Sequence, residues 1–106
     1  MNKLGLQIFD RVTEFIHSLP EYEQLKLAVD LESICTGDFE AIYIKTLRGP
    51  IKELIVRRTR LIFCIERKSL YVLHAFTKKT MKTPRRDLEI SEHLYALLMK
   101  QLGPDK

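Results

Sequence analysis

Leu6, Ile8, Phe9, Val12, Phe15, Ile16 and Leu19 recur at helical spacing, with Asp10, Arg11, Thr13 and Glu14 between them. That period predicts an amphipathic helix near the start of the chain. Pro20 closes it and suits the first turn of a second helix. Glu21 and Glu23 follow, placing negative charge at a helix N-terminus, where it is favoured. Leu25, Leu27, Ala28, Val29, Leu31 and Ile34 continue the pattern, and Gly37 is a natural C-terminal stop. Residues 5–36 are expected to form an antiparallel helical hairpin.

The period then changes from helical to alternating. Residues 41–47, Ala-Ile-Tyr-Ile-Lys-Thr-Leu, are rich in β-branched and aromatic side chains and predict a strand. Arg48-Gly49-Pro50 breaks it. Ile51 to Val56 predicts a second strand, with Arg57-Arg58-Thr59 at its turn. Arg60 to Glu66 predicts a third, and its run Leu61-Ile62-Phe63-Cys64-Ile65 suits a strand covered on both faces. After a polar turn at Glu66-Arg67-Lys68-Ser69, Leu70 to Thr77 predicts a fourth. Strands joined by short turns form an antiparallel meander. Thr83-Pro84 opens a last helix, with Thr83 expected as N-cap and Pro84 in the first helical position. Ile90, Leu94, Leu97, Leu98 and Leu102 form its apolar stripe, and Gly103-Pro104 ends it. Strands segregated from helices predict an α+β fold: an N-terminal helical hairpin packed on a small antiparallel sheet, plus a C-terminal helix.

Composition adds that 106 residues with 45% apolar side chains suffice for one core, so a single domain over 1–106 is expected. Nothing resembles a signal peptide, and no apolar run approaches the roughly 20 residues a membrane helix needs. A cytoplasmic protein without membrane contact is expected. Cys35 and Cys64 lack a CxxC spacing, and neither they nor His17, His74 and His93 show metal-ligand spacing. Two free buried thiols, no metal and no cofactor are expected.

Charge changes the picture most. Residues 45–86 hold thirteen Lys and Arg against Glu53 and Glu66, a net +11, whereas residues 1–44 sum to −5 and 87–106 to −2. A basic centre between acidic ends points to a face that binds a polyanion, nucleic acid foremost.

The residues in that centre carry a resemblance. Ile51-Lys52-Glu53-Leu54, then Arg58-Thr59-Arg60-Leu61-Ile62-Phe63, then Leu73-His74-Ala75-Phe76-Thr77-Lys78-Lys79-Thr80-Met81-Lys82-Thr83-Pro84 resemble the RelE/ParE superfamily of toxins, in its HigB-like, phage-associated branch. Leu19-Pro20 and Tyr43 to Leu47 fit the same template, so the likeness covers roughly residues 12–100. Two departures stand out. Ile55 occupies the place of an arginine in that pattern, with Arg57 or Arg58 as substitutes, and the opening strand of many relatives is expected to be absent or reduced.

The resemblance implies the RelE-like fold and the toxin of a type II toxin–antitoxin pair, cutting ribosome-bound mRNA as a metal-independent endoribonuclease. Its implied partners are mRNA, the ribosomal RNA and a cognate antitoxin of helix-turn-helix type. Such cleavage uses the RNA's own 2′-hydroxyl as nucleophile, so the protein must orient the nucleotide, move two protons and neutralise charge growing on phosphorus. Arg60 is the first candidate for phosphate contact; a cation that caps a turn or pairs with Glu66 is the bland alternative. Lys78, Lys79 and Lys82 complete the candidate catalytic set, against a solvated basic turn. Arg57, Arg58, Lys45, Lys52, Arg85 and Arg86 are candidates for backbone contacts with RNA. His74 has acid–base capacity but alternates with Phe76, which favours a structural histidine. His93 is expected at the surface. Tyr43, Tyr71 and Tyr95 are candidates for stacking a base, with Tyr95 better suited to helix packing. Glu53 is expected in a salt bridge with a neighbouring basic strand residue. Two other functions fit: a gyrase-inhibiting toxin of ParE type, and a catalytically inactive nucleic-acid-binding relative with a regulatory role.

Overall fold

Across residues 3–104, which the computed structural model describes, the order is β1 (Gly5–Ile8), α1 (Asp10–His17), α2 (Glu21–Thr36), β2 (Tyr43–Arg48), β3 (Ile51–Val56), β4 (Thr59–Glu66), β5 (Ser69–Thr77) and α3 (Arg85–Leu102). The two residues at each end of the expected 1–106 domain lie outside the described residues. The strands form one sheet in the order β1-β5-β4-β3-β2. The α+β class, the meander of β2 to β5 and the C-terminal helix are as the sequence predicts.

The start of the chain differs. Residues 5–8 are a strand, not helix, and β1 pairs in parallel with β5, Gly5 opposite Ser69 and Ile8 opposite Val72. The sheet is therefore mixed, and the opening strand is present. Gly-Leu-Gln-Ile alternates as well as it spirals, and four residues are too few for periodicity to decide. What decides is the unpaired edge of β5, which β1 covers.

Apolar residues on the two faces of the sheet meet different helices. Val12 of α1 and Leu27, Leu31, Ile34 and Cys35 of α2 pack on Leu54, Val56, Leu61, Phe63, Leu70 and Val72. On the other face, Leu98 of α3 packs with Cys64 and Leu73, joined by Leu94, Tyr95 and Leu102, while Tyr95 also reaches Ile51, Ile62 and Phe76. Leu61 to Cys64 of β4 are fully buried, as expected of a strand covered on both faces. Within the predicted α3 stripe Leu98 is buried, Leu94 is half-buried and Leu97 is 49% exposed. Cys35 and Cys64 are both buried free thiols.

Helix starts carry a second correction. Pro20 and Pro84 are themselves the N-cap residues, so α3 starts one place later than predicted, and no side chain caps either helix. Each proline carbonyl accepts the first helical hydrogen bonds, from Glu23 N–H at 3.0 Å and from Leu88 N–H at 3.1 Å. Thr83 is thus free of capping duty and its hydroxyl turns elsewhere. Gly37 ends α2 in the left-handed region at φ 82°.

Candidate functional site

A β-bulge sets the site. In the β4–β5 pairing Ile62 faces His74 while Phe63 faces Val72, which leaves Leu73 as the extra residue. Val72 packs toward α1 and α2, and simple alternation would send His74 and Phe76 the same way. The bulge reverses them. His74 instead bonds Asp87 of α3, Nε2 to Oδ1 at 2.7 Å, stacks on Phe76 at 5.9 Å, and leaves Phe76 opposite Arg60. His74 is thus structural here, a tie between β5 and the first turn of α3.

Two cross-strand rows now share the α3 face. Tyr43, Ile55, Arg60 and Phe76 are successive partners across β2, β3, β4 and β5, and so are Lys45, Glu53, Ile62 and His74. Glu53 is fully buried. Its Oε2 accepts a hydrogen bond from Thr83 Oγ1 at 3.1 Å, and its Oε1 lies 3.9 Å from Arg60 Nε. The expected salt bridge of Glu53 therefore forms, with Arg60 as its partner. Arg60 does not use Glu66, whose Oε2 accepts from Tyr95 Oη at 3.0 Å. Arg60 Nη1 donates to the carbonyls of Arg57 at 2.6 Å and Thr59 at 3.1 Å, so the guanidinium also braces the β3–β4 turn. Arg57 needs that brace, because it holds φ 57°, a region that favours glycine.

Beside Arg60 lies an open groove of about 480 Å³ lined by Arg58, Arg60, Lys78, Lys79, Thr80 and Met81. The ladder builds it: Lys78 N–H donates to the Arg58 carbonyl at 2.7 Å, extending β5 past Thr77 and holding the lysine segment against the β3–β4 turn. The Thr83–Glu53 bond fixes the far end of that segment. Arg58, Lys78 and Lys79 thus line one space with the Arg60 guanidinium, which is anchored from behind. Positive charge concentrated this way attracts a phosphate backbone and stabilises charge that develops on it.

The remaining predicted residues are spread more widely. Arg57 and Arg58 are exposed at the turn, and Lys45 is exposed in the row with Glu53. Lys82 is exposed beyond the groove, its carbonyl accepting from Thr80 Oγ1 at 2.9 Å. Arg85 pairs with Glu89 on the surface of α3 at 3.3 Å, and Arg86 is exposed next to it. Lys52 lies on the opposite face: it pairs with Phe63, part of the α1/α2 core, and its Nζ donates to Thr46 Oγ1 at 3.2 Å. Arg48, Arg67 and Lys68 belong to turns at the other end of the sheet. Arg48 pairs with Glu92 at 2.7 Å, and Arg67 donates to the carbonyls of Leu102 and Gly103, closing the end of α3. The basic window of the sequence is therefore two populations, a groove and a set of braces. Tyr71 and Tyr95 are packed under α3, and Tyr43 stays 74% exposed.

Sequence reasoning expected Thr83 as a cap and passed over Tyr22. Thr83 signals a cap by its place before Pro84 and serves the groove instead. Tyr22, between Glu21 and Glu23, lies with its ring 5.3 Å from the Arg57 guanidinium. Among the described residues no three His, Cys, Asp or Glu side chains gather as a metal site.

Fold and groove define a small α+β protein with cations assembled at one end of a mixed sheet. The chain belongs to the Gp49-like family of phage-derived proteins (DUF891), whose family model matches residues 14–96. It is a toxin-like family related to the RelE-type toxins. The matched span includes the groove, the β4–β5 bulge and most of α3, and leaves out β1. No curated protein matches the chain.

Proposed function

We propose that this protein is the toxin of a type II toxin–antitoxin system, of the HigB-like branch, and that it inhibits translation by cutting ribosome-bound mRNA. The observation that carries the reading is the Arg60 guanidinium, held by the buried Glu53 and two carbonyls at the wall of a groove that also presents Arg58, Lys78 and Lys79. In this reading Arg60 holds the phosphate to be cleaved and neutralises the charge that builds as the 2′-hydroxyl attacks. Lys78 and Lys79, with Lys82 from the same segment, supply further positive charge and the proton transfers. Arg57, Arg58, Lys45, Arg85 and Arg86 hold the flanking RNA or ribosomal RNA without regard to sequence. None of these roles calls for a metal ion or a cofactor.

The antitoxin, a helix-turn-helix protein in this reading, covers the groove with acidic or apolar residues. Met81, in the groove lining and 92% exposed, offers it an apolar contact. No helix among the described residues is long and apolar enough to cross a membrane, and the proposed place of action is the cytoplasm.

One observation favours a second reading, a catalytically inactive nucleic-acid-binding relative. Ile55 pairs directly with Arg60, so the neighbouring position on β3 contributes no cation. Expression of the chain alone separates the two. The proposal expects growth arrest that Arg60→Lys relieves, with the variant still folded because a positive charge stays beside Glu53. Absence of arrest by the wild-type chain favours the inactive relative, and arrest with intact mRNA favours a gyrase-directed toxin.

A further inference from the structure

The groove is one end of a longer track. Next to it, a second recess of about 350 Å³ is lined by Tyr22, Arg57, Arg58, Thr59 and Thr77 among others, sharing Arg58 with the groove. Beyond that lies a cleft of about 400 Å³ whose lining includes Tyr22, Lys26, Tyr43, Ile55 and Arg57, sharing Tyr22 and Arg57 with the recess. Three adjoining hollows thus run across the turn end of the sheet, cationic at the lysine segment and aromatic at the α2 side.

The aromatic end is a built feature. Thr59 Oγ1 donates to Glu23 Oε1 at 2.9 Å, pinning the first turn of α2 to β4 and bringing Tyr22 beside the turn. The Arg57 guanidinium then sits 5.3 Å from the centre of the Tyr22 ring. Tyr43 rises from β2 in the same cross-strand row as Arg60, two strand spacings away, or roughly 10 Å. Tyr22 and Tyr43 are 54% and 74% exposed, so folding leaves much of both rings free, and Ile55 and Val56 add apolar atoms to the lining. Glu23 and Asp30 also line the cleft, but Glu23 is taken up by Thr59 and Asp30 by Lys26 at 2.7 Å, which leaves Arg57, among the described residues, as the free cation at its border. Aromatic faces beside a line of cations are what single-stranded nucleic acid requires: stacking for the base, charge for the backbone.

We propose that the Tyr22–Tyr43 cleft is a base-binding subsite, in which a nucleobase of single-stranded RNA stacks while the adjoining phosphates run past Arg57 and Arg58 to Arg60 and Lys78. The proposal rests on the RNA-contact reading above and adds the place of a base to it. Stacking recognises any base face, so the subsite predicts affinity with little sequence preference.

The test compares two short single strands, one a 2′-O-methylated oligoribonucleotide that resists cleavage and the other its abasic counterpart, by fluorescence anisotropy at low salt. The wild-type chain should bind the base-bearing strand roughly 10- to 100-fold more tightly. Tyr22→Leu/Tyr43→Leu, both at exposed positions, should erase that margin and leave the abasic affinity unchanged. Lys78→Ala/Lys79→Ala should weaken both strands alike. Equal wild-type affinity for the two strands overturns the subsite, and so does a margin that survives the tyrosine double variant. If the wild-type chain binds neither strand, the RNA-contact reading falls with it. If the tyrosine variant keeps its RNA margin but no longer binds a protein partner, the cleft is a protein-docking surface and the proposal is overturned.

Discussion

Glu53 Oε1 and Arg60 Nε face each other at 3.9 Å, and each is a buried polar atom without a hydrogen-bond partner. The separation is too long for a hydrogen bond, so attraction between opposite charges is what joins them. The arrangement leaves each residue dependent on the other, because burial of a lone charge is far costlier than burial of a pair. It also links β3, β4 and, through Thr83, the segment before α3.

Glu53→Ala should therefore destabilise the fold by about 3–5 kcal/mol, since Arg60 loses its counter-charge in a dry site. For a domain of this size that is a fall of more than about 10 °C in Tm. Glu53→Gln keeps an acceptor for Thr83 and should cost less. Thermal unfolding followed by circular dichroism checks both, and an unchanged Tm for Glu53→Ala contradicts the pairing.

Two neighbouring leucines of α3 should behave oppositely. Leu98 is 5% exposed against Cys64 and Leu73, and Leu98→Ala should cost about 2–5 kcal/mol through lost burial and the cavity left behind. Leu97 is 49% exposed, and Leu97→Ala should stay within about 0.5 kcal/mol of wild type. Urea unfolding midpoints distinguish them; similar losses at both positions would mean that α3 docks by another face.

Arg67 tests whether positive charge or position matters. It donates to two carbonyls at the end of α3, so Arg67→Ala should cost about 0.5–1.5 kcal/mol per lost hydrogen bond at most, while RNA binding at the groove stays intact. Lys79→Ala should do the reverse, with little effect on unfolding and weaker RNA binding. The paired measurements are a denaturation curve and an anisotropy titration for each variant. A loss of RNA affinity from Arg67→Ala equal to that from Lys79→Ala would dissolve the distinction between brace and groove.

Cys64 makes stability fall at alkaline pH. Burial pushes its thiol up to about 12 from an ordinary 9.0, with Glu66 adding to the effect. The folded state then keeps a proton that the unfolded chain releases, so the stabilising contribution is full below pH 9.0 and declines as pH rises toward about 12. The slope from this one group is at most about 1.4 kcal/mol per pH unit. Unfolding midpoints measured from pH 8 upward should drop more steeply for wild type than for Cys64→Ala; parallel curves would refute the assignment.

Much of this was legible in the chain, and the misses have physical causes. The run Leu61 to Cys64 announces a strand buried on both sides, and Glu53 beside basic strands announces a salt bridge. Residues 5–8 misled because a strand of four is set by its partner, and β5 lies more than sixty residues away in sequence, at Ser69 to Val72. Thr83 misled because Pro84 supplied the local rule for a cap while the demand of buried Glu53 was tertiary. Charge counting merged Arg67 and Arg48 with the groove because it ignores which end of a strand a turn occupies. Strand alternation, applied to Glu53 and Lys52, separates those neighbours onto opposite faces from sequence alone. The bulge at Leu73 has no such signal, yet it decides which way Phe76 points.

The most direct test of the central claim is cleavage of mRNA on purified, translating ribosomes, read by primer extension. The wild-type chain should cut the ribosome-bound message, leaving a 5′-hydroxyl on the downstream product. Arg60→Lys, which keeps a charge beside Glu53 but loses the planar fork of donors, should slow the reaction on the order of 10²-fold. Intact message in the presence of wild-type protein that still arrests growth, or cutting at an undiminished rate by Arg60→Lys, would contradict the account.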